Sequence, residues 1–322
     1  MKTFSTVIAN DILTTKKFLD EGETVGIPTE TVYGLAANAL DENAILKIFT
    51  AKNRPHFDPL IVHVHSAKEI EKYVHRIPHR AKDLIKAFMP GALTLLLKKN
   101  EVIPDLVTSG SDMVAIRIPA HPMALKLLKQ LDFPLAAPSA NPFGYISPTT
   151  AQHVYDQLQG KIPYILDGGP TSVGVESTII GFDGEEVIVY RLGGIPVEEI
   201  EDVIEAKVRM ELNASSNPAA PGSLKSHYAP GKNLRIREFE NVRMEIQNAK
   251  TGVIAFDKYV EGIERKNQIL LSEKGDLEEA AKNLFAAMRK LDASDVDEII
   301  AIKFPDKGLG RAINDRLKRA SA

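Results

Sequence analysis

The chain contains no cysteine and no tryptophan. Without thiols there is no disulfide, no thiolate metal site and no cysteine nucleophile, and the composition suits a reducing compartment. No apolar run approaches the ~20 residues needed to span a bilayer. The opening MKTFSTVIANDILTTKKFLDEGE also lacks a signal-peptide apolar core and a small-residue cleavage site. The expectation is a cytoplasmic protein with no membrane partner. An excess of positive charge is missing too: 40 Lys and Arg stand against 43 Asp and Glu, a formal net charge of −3. Proteins that coat a polyanion are normally basic, so any nucleic-acid contact should be local or weak. The P-loop G-x-x-x-x-G-K-[ST] and the zinc motif H-E-x-x-H are absent. Gly308-Leu309-Gly310 lacks the third glycine and the βα context of a dinucleotide fingerprint. A bound nucleotide must be held by another device.

What is present fits a globular protein of two domains. The length is 322 residues, with 44% hydrophobic and 26% charged. Apolar runs predict strands at Thr24–Ile27, Leu60–Val64, Leu93–Leu97, Val114–Ile118, Leu135–Pro138 and Ile162–Leu166. A pair crosses the Asp183-Gly184 turn, Ser177–Ile180 with Val187–Tyr190. Helices are expected after the caps Asp11 and Asp41, over His79–Met89, from Pro122 to Leu131, from Ser147-Pro148-Thr149, and from Pro196. Asn213–Asn233 is rich in Pro, Gly and Ser without apolar periodicity, which marks a linker. Beyond it, strands at Gly252–Phe256, Ile269–Leu271 and Glu298–Ile302 alternate with an amphipathic helix from Leu277 to Leu291. A terminal helix runs over Ala312–Arg319, so the tail reads as a small parallel α/β domain.

One stretch draws the chemistry together. Pro28–Gly34 reads as a polar loop after a buried strand, and Lys52 and Arg54 follow at the end of the next helix. Hydroxyls facing cations suit an anionic ligand. The cations could instead only answer the helix dipole. Arg117 sits among Ala115, Ile116 and Ile118, so burial obliges it to have an anionic partner. That partner is either an internal Asp or Glu, or a substrate carboxylate held by the guanidinium fork. His63 lies in an apolar strand, where a lone histidine is more often a core residue than a catalyst. Ser139-Ala140-Asn141 and Ser177-Thr178 follow strands and suit a phosphate or ribose, or are plain turns. Arg191 precedes Gly193-Gly194, small residues that would let a ligand come close. Together these favour a pocket for a small polar anion beside a phosphate-bearing molecule.

Pro28-Thr29-Glu30-Thr31-Val32-Tyr33-Gly34-Leu35, Lys52-x-Arg54-Pro55, Pro90-Gly91-x-x-Thr94, Arg117-x-Pro119, Ser139-Ala140-Asn141 and Ser177-Thr178 resemble, in order and spacing, the YrdC/Sua5 family. Pro221-Gly222-x-x-x-x-His227-Tyr228-x-Pro230 and the α/β tail resemble its two-domain Sua5 type. The resemblance implies a twisted open α/β sheet (YrdC-like) over residues 1–208, a linker over 209–233 that folds across the active site, and a small Rossmann-like parallel α/β domain over 234–322. It implies synthesis of L-threonylcarbamoyladenylate and pyrophosphate from L-threonine, bicarbonate or CO2, and ATP. The adenylate would pass to a downstream tRNA threonylcarbamoyl transferase complex that makes N6-threonylcarbamoyladenosine in tRNAs reading ANN codons, with at most a weak direct tRNA contact.

By the same resemblance threonine would meet Thr29, Thr31, His63, Arg117, Ala137 and Ser177. ATP would lie against Lys52, Arg54, Asp58, Ser139, Asn141, Ser147, Arg191 and Tyr228. Lys52 and Arg54 would do the catalytic work of neutralising phosphate charge. A Mg2+ ion would travel with ATP, held by phosphates and water and by no protein side chain. Two rivals stand beside this reading. One is a pure RNA-binding module, which the acidic balance opposes. The other is a carbamoyltransferase of hydrogenase maturation, whose Cys motifs and acylphosphatase region are absent.

Overall fold

The apolar runs at Leu93 and Val114 become the neighbouring strands at the heart of a sheet. A computed structural model describes residues 3–55, 58–212, 227–245 and 250–322. The larger sheet contains β1 (Val7–Ala9), β2 (Val25–Ile27), β3 (Gly34–Asn38), β4 (Ile61–His63), β5 (Leu93–Lys98) and β6 (Met113–Arg117). It continues with β7 (Leu135–Ala136), β8 (Tyr164–Leu166), β9 (Thr178–Asp183), β10 (Glu186–Arg191) and β11 (Arg209–Met210). Their order is β1-β8-β2-β3-β7-β4-β6-β5-β9-β10-β11, with parallel and antiparallel neighbours mixed. β5 runs antiparallel to β6, pairing Leu95 with Ile116, and both are largely buried on both faces, as their mainly apolar composition leads one to expect. The smaller sheet is wholly parallel: β12 (Asn233–Arg237), β13 (Thr251–Ala255), β14 (Gln268–Leu270) and β15 (Glu298–Ile302), ordered β12-β15-β13-β14. The chain is therefore α/β, a large mixed sheet followed by a small parallel one.

Helix starts follow their caps. Asp11 accepts from the Leu13 and Thr14 amides ahead of helix Ile12–Asp20, and Asp41 accepts from Asn43 ahead of Glu42–Lys52. Some expected bounds shift, the terminal helix for example beginning at Leu309 instead of Ala312. The helix read from Ser147-Pro148-Thr149 begins at Ala151, where the Thr150 hydroxyl caps His153, and the Pro122 helix ends at Leu128. β3 was not anticipated. Gly-Leu-Ala-Ala-Asn carries no strand signature, and tertiary context imposes extension by placing it between β2 and β7. The expected linker also starts inside regular structure, since Arg209 and Met210 still pair with β10. Pro221-Gly222 lies outside the described residues. His227 and Tyr228 lie back on the body of the protein, where the Ala229 amide donates to Gly144 and the His227 amide to Arg319.

The two domains share apolar packing, with Ala312 of the last helix joining the core of the larger domain. Val32, Ile146 and Val175 join Tyr228 and the buried face of helix Leu277–Asp292, including Leu284, Phe285 and Met288, in one hydrophobic cluster. Gly174 makes the approach possible. It has φ +80, and a Cβ there would lie 2.4 Å from Lys282 Cα and 2.5 Å from Lys282 O, on the backbone of that helix. Gly174→Ala should therefore destabilise the protein by about 2 kcal/mol or more, lowering the calorimetric midpoint by about 4 °C or more. An unchanged midpoint would mean that this loop does not press on the helix.

Candidate functional site

The loop after β2, the ends of β4, β6 and β10, and the segments at Ala137–Ser139 and Glu176–Ser177 enclose a cavity. His227 and Tyr228 cover it. Its space for the centre of a water-sized sphere is about 50 Å3. Thr29, Thr31, Arg54, His63, Arg117, Ala137, Ser139, Ser177, Arg191 and Tyr228 all line it, so the structure brings these expected site residues together.

Arg117 decides the first half. The internal partner proves to be real: Nη2 donates to Glu30 Oε1 at 2.5 Å and to the Gly91 carbonyl at 3.2 Å, and Nη1 donates to the Thr31 hydroxyl at 3.1 Å. The full fork is thus not free for a substrate carboxylate, because a chain carboxylate already compensates the buried charge. Nε is buried with no hydrogen-bond partner. Glu30 was missed as a site residue. Nothing local marks it, since it stands 87 residues from its partner. The proton inventory separates the two threonines. Thr29 Oγ1 donates its only proton to the Val32 carbonyl at 2.6 Å. Its 2.8 Å contact with Thr31 must then be donated by Thr31. Thr29 closes the loop, while Thr31 links that loop to Arg117.

His63 sits beside Arg117 with Nδ1 3.1 Å from the Ile61 carbonyl. Burial, aided by the Arg117 charge, pushes its pKa down to about 3, so the ring is neutral near pH 7. The Ser177 hydroxyl contacts Thr94 Oγ1 at 2.7 Å and accepts from Arg191 Nη2 at 3.0 Å.

On the other side the expected phosphate clamp divides. The αL conformation of Asn53 and the following Pro55 end the helix and turn Arg54 into the cavity. Asp58 does not line the cavity. Its carboxylate holds Arg54 Nη2 at 2.8 Å, while Arg54 also donates to the carbonyls of Asp58 and Pro59. Lys52 is not on the wall either. It is buried, and its Nζ donates to the Ser139 and Asn141 carbonyls at 2.5 Å each. Burial and the neighbouring Arg54 charge hold its pKa well below the usual lysine range. Lys52 therefore shapes the Ser139–Asn141 loop from behind. Asn141 donates to Pro142 and Tyr145, and Ser147 donates to Glu176, so both brace the wall rather than face the cavity.

Arg191 follows a bulge in β10 and donates from Nε and Nη2 to the Ser177 carbonyl. Burial brings its pKa down to about 10. The small residues behind it serve the chain itself. A Cβ on Gly193 would lie 2.3 Å from the Glu176 carbonyl, so the close approach expected of a ligand is made by backbone. Sequence reasoning missed Glu176 and gave His227 no role, and both line the cavity. Burial and the surrounding charges of Arg54, Lys52, Arg316 and Arg191 keep His227 well below the ordinary histidine range. Tyr228 adopts φ 68, and burial pushes its phenol up to about 12. Among the described residues no group of three or more His, Asp or Glu could hold a metal ion, and no helix is long and apolar enough to cross a membrane.

Residues 17–193 match the Sua5/YciO/YrdC family model, described as telomere recombination. Residues 195–322 match a model described as the C-terminal domain of threonylcarbamoyl-AMP synthase. The threonylcarbamoyl-AMP synthase of Pyrococcus abyssi is 44% identical over 318 residues, covering 94% of this chain and 92% of that protein. The Bacillus subtilis enzyme of the same name is 42% identical over 323 residues, covering 94% and 90%. The crystal structure of P. abyssi Sua5 complexed with L-threonine superposes with a TM-score of 0.89 at 41% identity, over 98% of this chain and 97% of that one. Full-length HypF shares the fold alone, with a TM-score of 0.52 at 21% identity over 59% of this chain and 30% of its own.

The buried imidazoles make acid stability predictable. An unfolded histidine takes a proton near pH 6.5, whereas folded His63 holds out to about 3. Between those values the unfolded state binds more protons, so stability falls as pH drops. His63→Gln should lower the slope of unfolding free energy against pH, read by denaturant titration between about pH 4 and 6, by about 1.4 kcal/mol per unit. An unchanged slope would place the proton on His63 in the folded state.

Proposed function

The chain belongs to the Sua5/YciO/YrdC family, and on that premise we propose that it makes L-threonylcarbamoyladenylate and pyrophosphate from L-threonine, bicarbonate or CO2, and ATP. One observation carries the reading. Superposition on the threonine-complexed P. abyssi relative spans 98% of the chain, and in the same fold the cavity here is lined by Arg117, Thr31, His63 and Ser177 beside Arg54 and Arg191. A neutral imidazole, hydroxyls and a guanidinium with an unused N–H suit a small amino acid. The two further guanidiniums suit the phosphates of a nucleotide.

The threonine amine takes up CO2, or bicarbonate with loss of water, to give a carbamate. A carbamate oxygen attacks the α-phosphorus, and the bond to pyrophosphate breaks. No protein nucleophile is needed. Arg117, with its charge already balanced by Glu30, orients threonine through its remaining donor capacity and through Thr31. His63 is neutral and adds no competing charge. Arg54 and Arg191 face the developing negative charge on the phosphates, each fixed by carbonyl partners so that little reorganisation remains. Lys52 acts indirectly by holding the Ser139–Asn141 loop. A Mg2+ ion accompanying ATP would be held by phosphate oxygens and water and would supply neutralising charge there. The carboxylates nearby fit that arrangement, because Glu176 and Glu30 are already engaged by Ser147, Arg316 and Arg117. The adenylate then passes to a tRNA threonylcarbamoyl transferase complex in the cytoplasm.

The test is pyrophosphate release from ATP with and without threonine and bicarbonate. Arg117→Lys keeps the charge that Glu30 requires and loses the planar fork. It should raise KM for threonine roughly 10- to 100-fold, the worth of about 1.4–2.8 kcal/mol, and KM for ATP less than about threefold. Equal rises in both would remove Arg117 from the threonine side.

A further inference from the structure

Glu176 is an anion on the wall of a cavity we read as taking ATP, and its neutralisation comes from the far end of the chain. Its Oε1 accepts from the Ser147 hydroxyl at 2.5 Å, and its Oε2 accepts from Arg316 Nε at 2.7 Å. Arg316 lies on helix Leu309–Ala320 and is fully buried. It spends its other donors on the Leu192 carbonyl and on Asp315, both at 2.7 Å, and its guanidinium carbon lies 5.1 Å from the centre of the Tyr228 ring. Two of these contacts reach the nucleotide side: Leu192 follows Arg191, and Tyr228 covers the opening. The same helix backs the cover, for the Arg319 carbonyl accepts from the His227 amide. Arg289 on helix Leu277–Asp292 makes a second hold, donating to the Ile146 and Ser147 carbonyls.

We propose that Arg316 is a positioning residue for ATP, acting through Glu176: it holds that carboxylate neutralised against the wall, so that Arg191 and Ser147 keep their places and no uncompensated anion meets the phosphates. The inference rests on the functional reading above. Charged and titratable groups that face Glu176 are Arg316 and Arg191, with Tyr228 beside them and Asp315 behind Arg316. Burial alone would raise the Glu176 pKa. Those two guanidiniums and the Ser147 hydrogen bond outweigh burial and hold it below the usual carboxylate range. Without Arg316 the burial effect prevails and the carboxyl takes up a proton at higher pH.

The experiment measures KM for ATP and for threonine in the pyrophosphate-release assay on the full chain, from about pH 6 to 8.5. Arg316→Met should raise KM for ATP at least about tenfold at the upper end while leaving KM for threonine within about threefold. The rise should shrink toward pH 6 as Glu176 protonates. In a Glu176→Gln background the same change should add less than about threefold, with no pH slope. That second pair buries no unpaired charge and carries the test if Arg316→Met does not fold. A soluble Arg316→Met with parental KM for ATP, equal rises for both substrates, or a tenfold effect persisting in the Glu176→Gln background would overturn the inference. If the unaltered protein releases no pyrophosphate, the functional reading itself fails, which is a distinguishable result.

Discussion

A guanidinium inside a buried strand imposes a condition on everything around it. Transfer of an unpaired charge out of water costs several kcal/mol at least, so Arg117 cannot sit in β6 without a carboxylate or carbonyls within reach. Glu30 meets that condition from the loop after β2, and its second oxygen accepts the Ala120 amide at 3.0 Å. One ion pair thereby locks the threonine-rich loop to the chain leaving β6. Thr31 is fixed by the same contact, and Thr29 closes the loop beneath it. The cavity wall is braced by contacts within the chain itself, which suits an alignment-driven reaction.

The same desolvation rule sorts the remaining polar groups into two kinds. Arginines keep their charge when buried because their intrinsic pKa is so high. They therefore supply the positive field of the cavity, each tethered by a carboxylate or carbonyls. Histidines yield instead. His63 and His227 lie among guanidiniums and are neutral, so they bring shape and hydrogen-bonding capacity without charge. A site that must hold a carboxylate and a triphosphate beside each other gains from this division, since its positive charge is permanent across physiological pH.

Much of this architecture was legible in the chain. Mainly apolar runs marked β5 and β6, Asp11 and Asp41 marked helix starts, and Glu298–Ile302 agrees with β15 end to end. β3 escaped because Gly-Leu-Ala-Ala-Asn has no strand pattern of its own and is held extended between β2 and the distant β7, whereas the alternation of Asn-Leu-Arg-Ile-Arg in β12 is a strand signal that was overlooked beside the linker. The site divided along the same line. Residues that line the cavity were found where a loop follows a strand. Their partners were not, because Glu30 pairs across 87 positions and Glu176 across 140. A sequence shows that a buried cation needs an anion, and only the fold shows which one. Lys52 illustrates the converse: a cation beside Arg54 looked like a second clamp, yet two backbone carbonyls claim it.

That the two sheets share a core bears on what the second domain is for. An appended domain would bury its own apolar face and meet the first across a polar seam. Here Val32, two residues beyond Glu30, and Val175, next to Glu176, are packed into the same cluster as Leu284, Phe285 and Met288. Tyr228 stacks on Phe285 with ring centres 5.5 Å apart, so the residue covering the cavity is itself seated on the second domain. Hydrophobic burial is non-directional and would allow some sliding between the two bodies. The hydrogen bonds of Arg316 and Arg289 are directional, and they land on the backbone behind the cavity wall, at Leu192 and Ile146. Apolar area brings the domains together, and the two arginines set the register. The second domain therefore braces the wall of the cavity from behind and seats its cover.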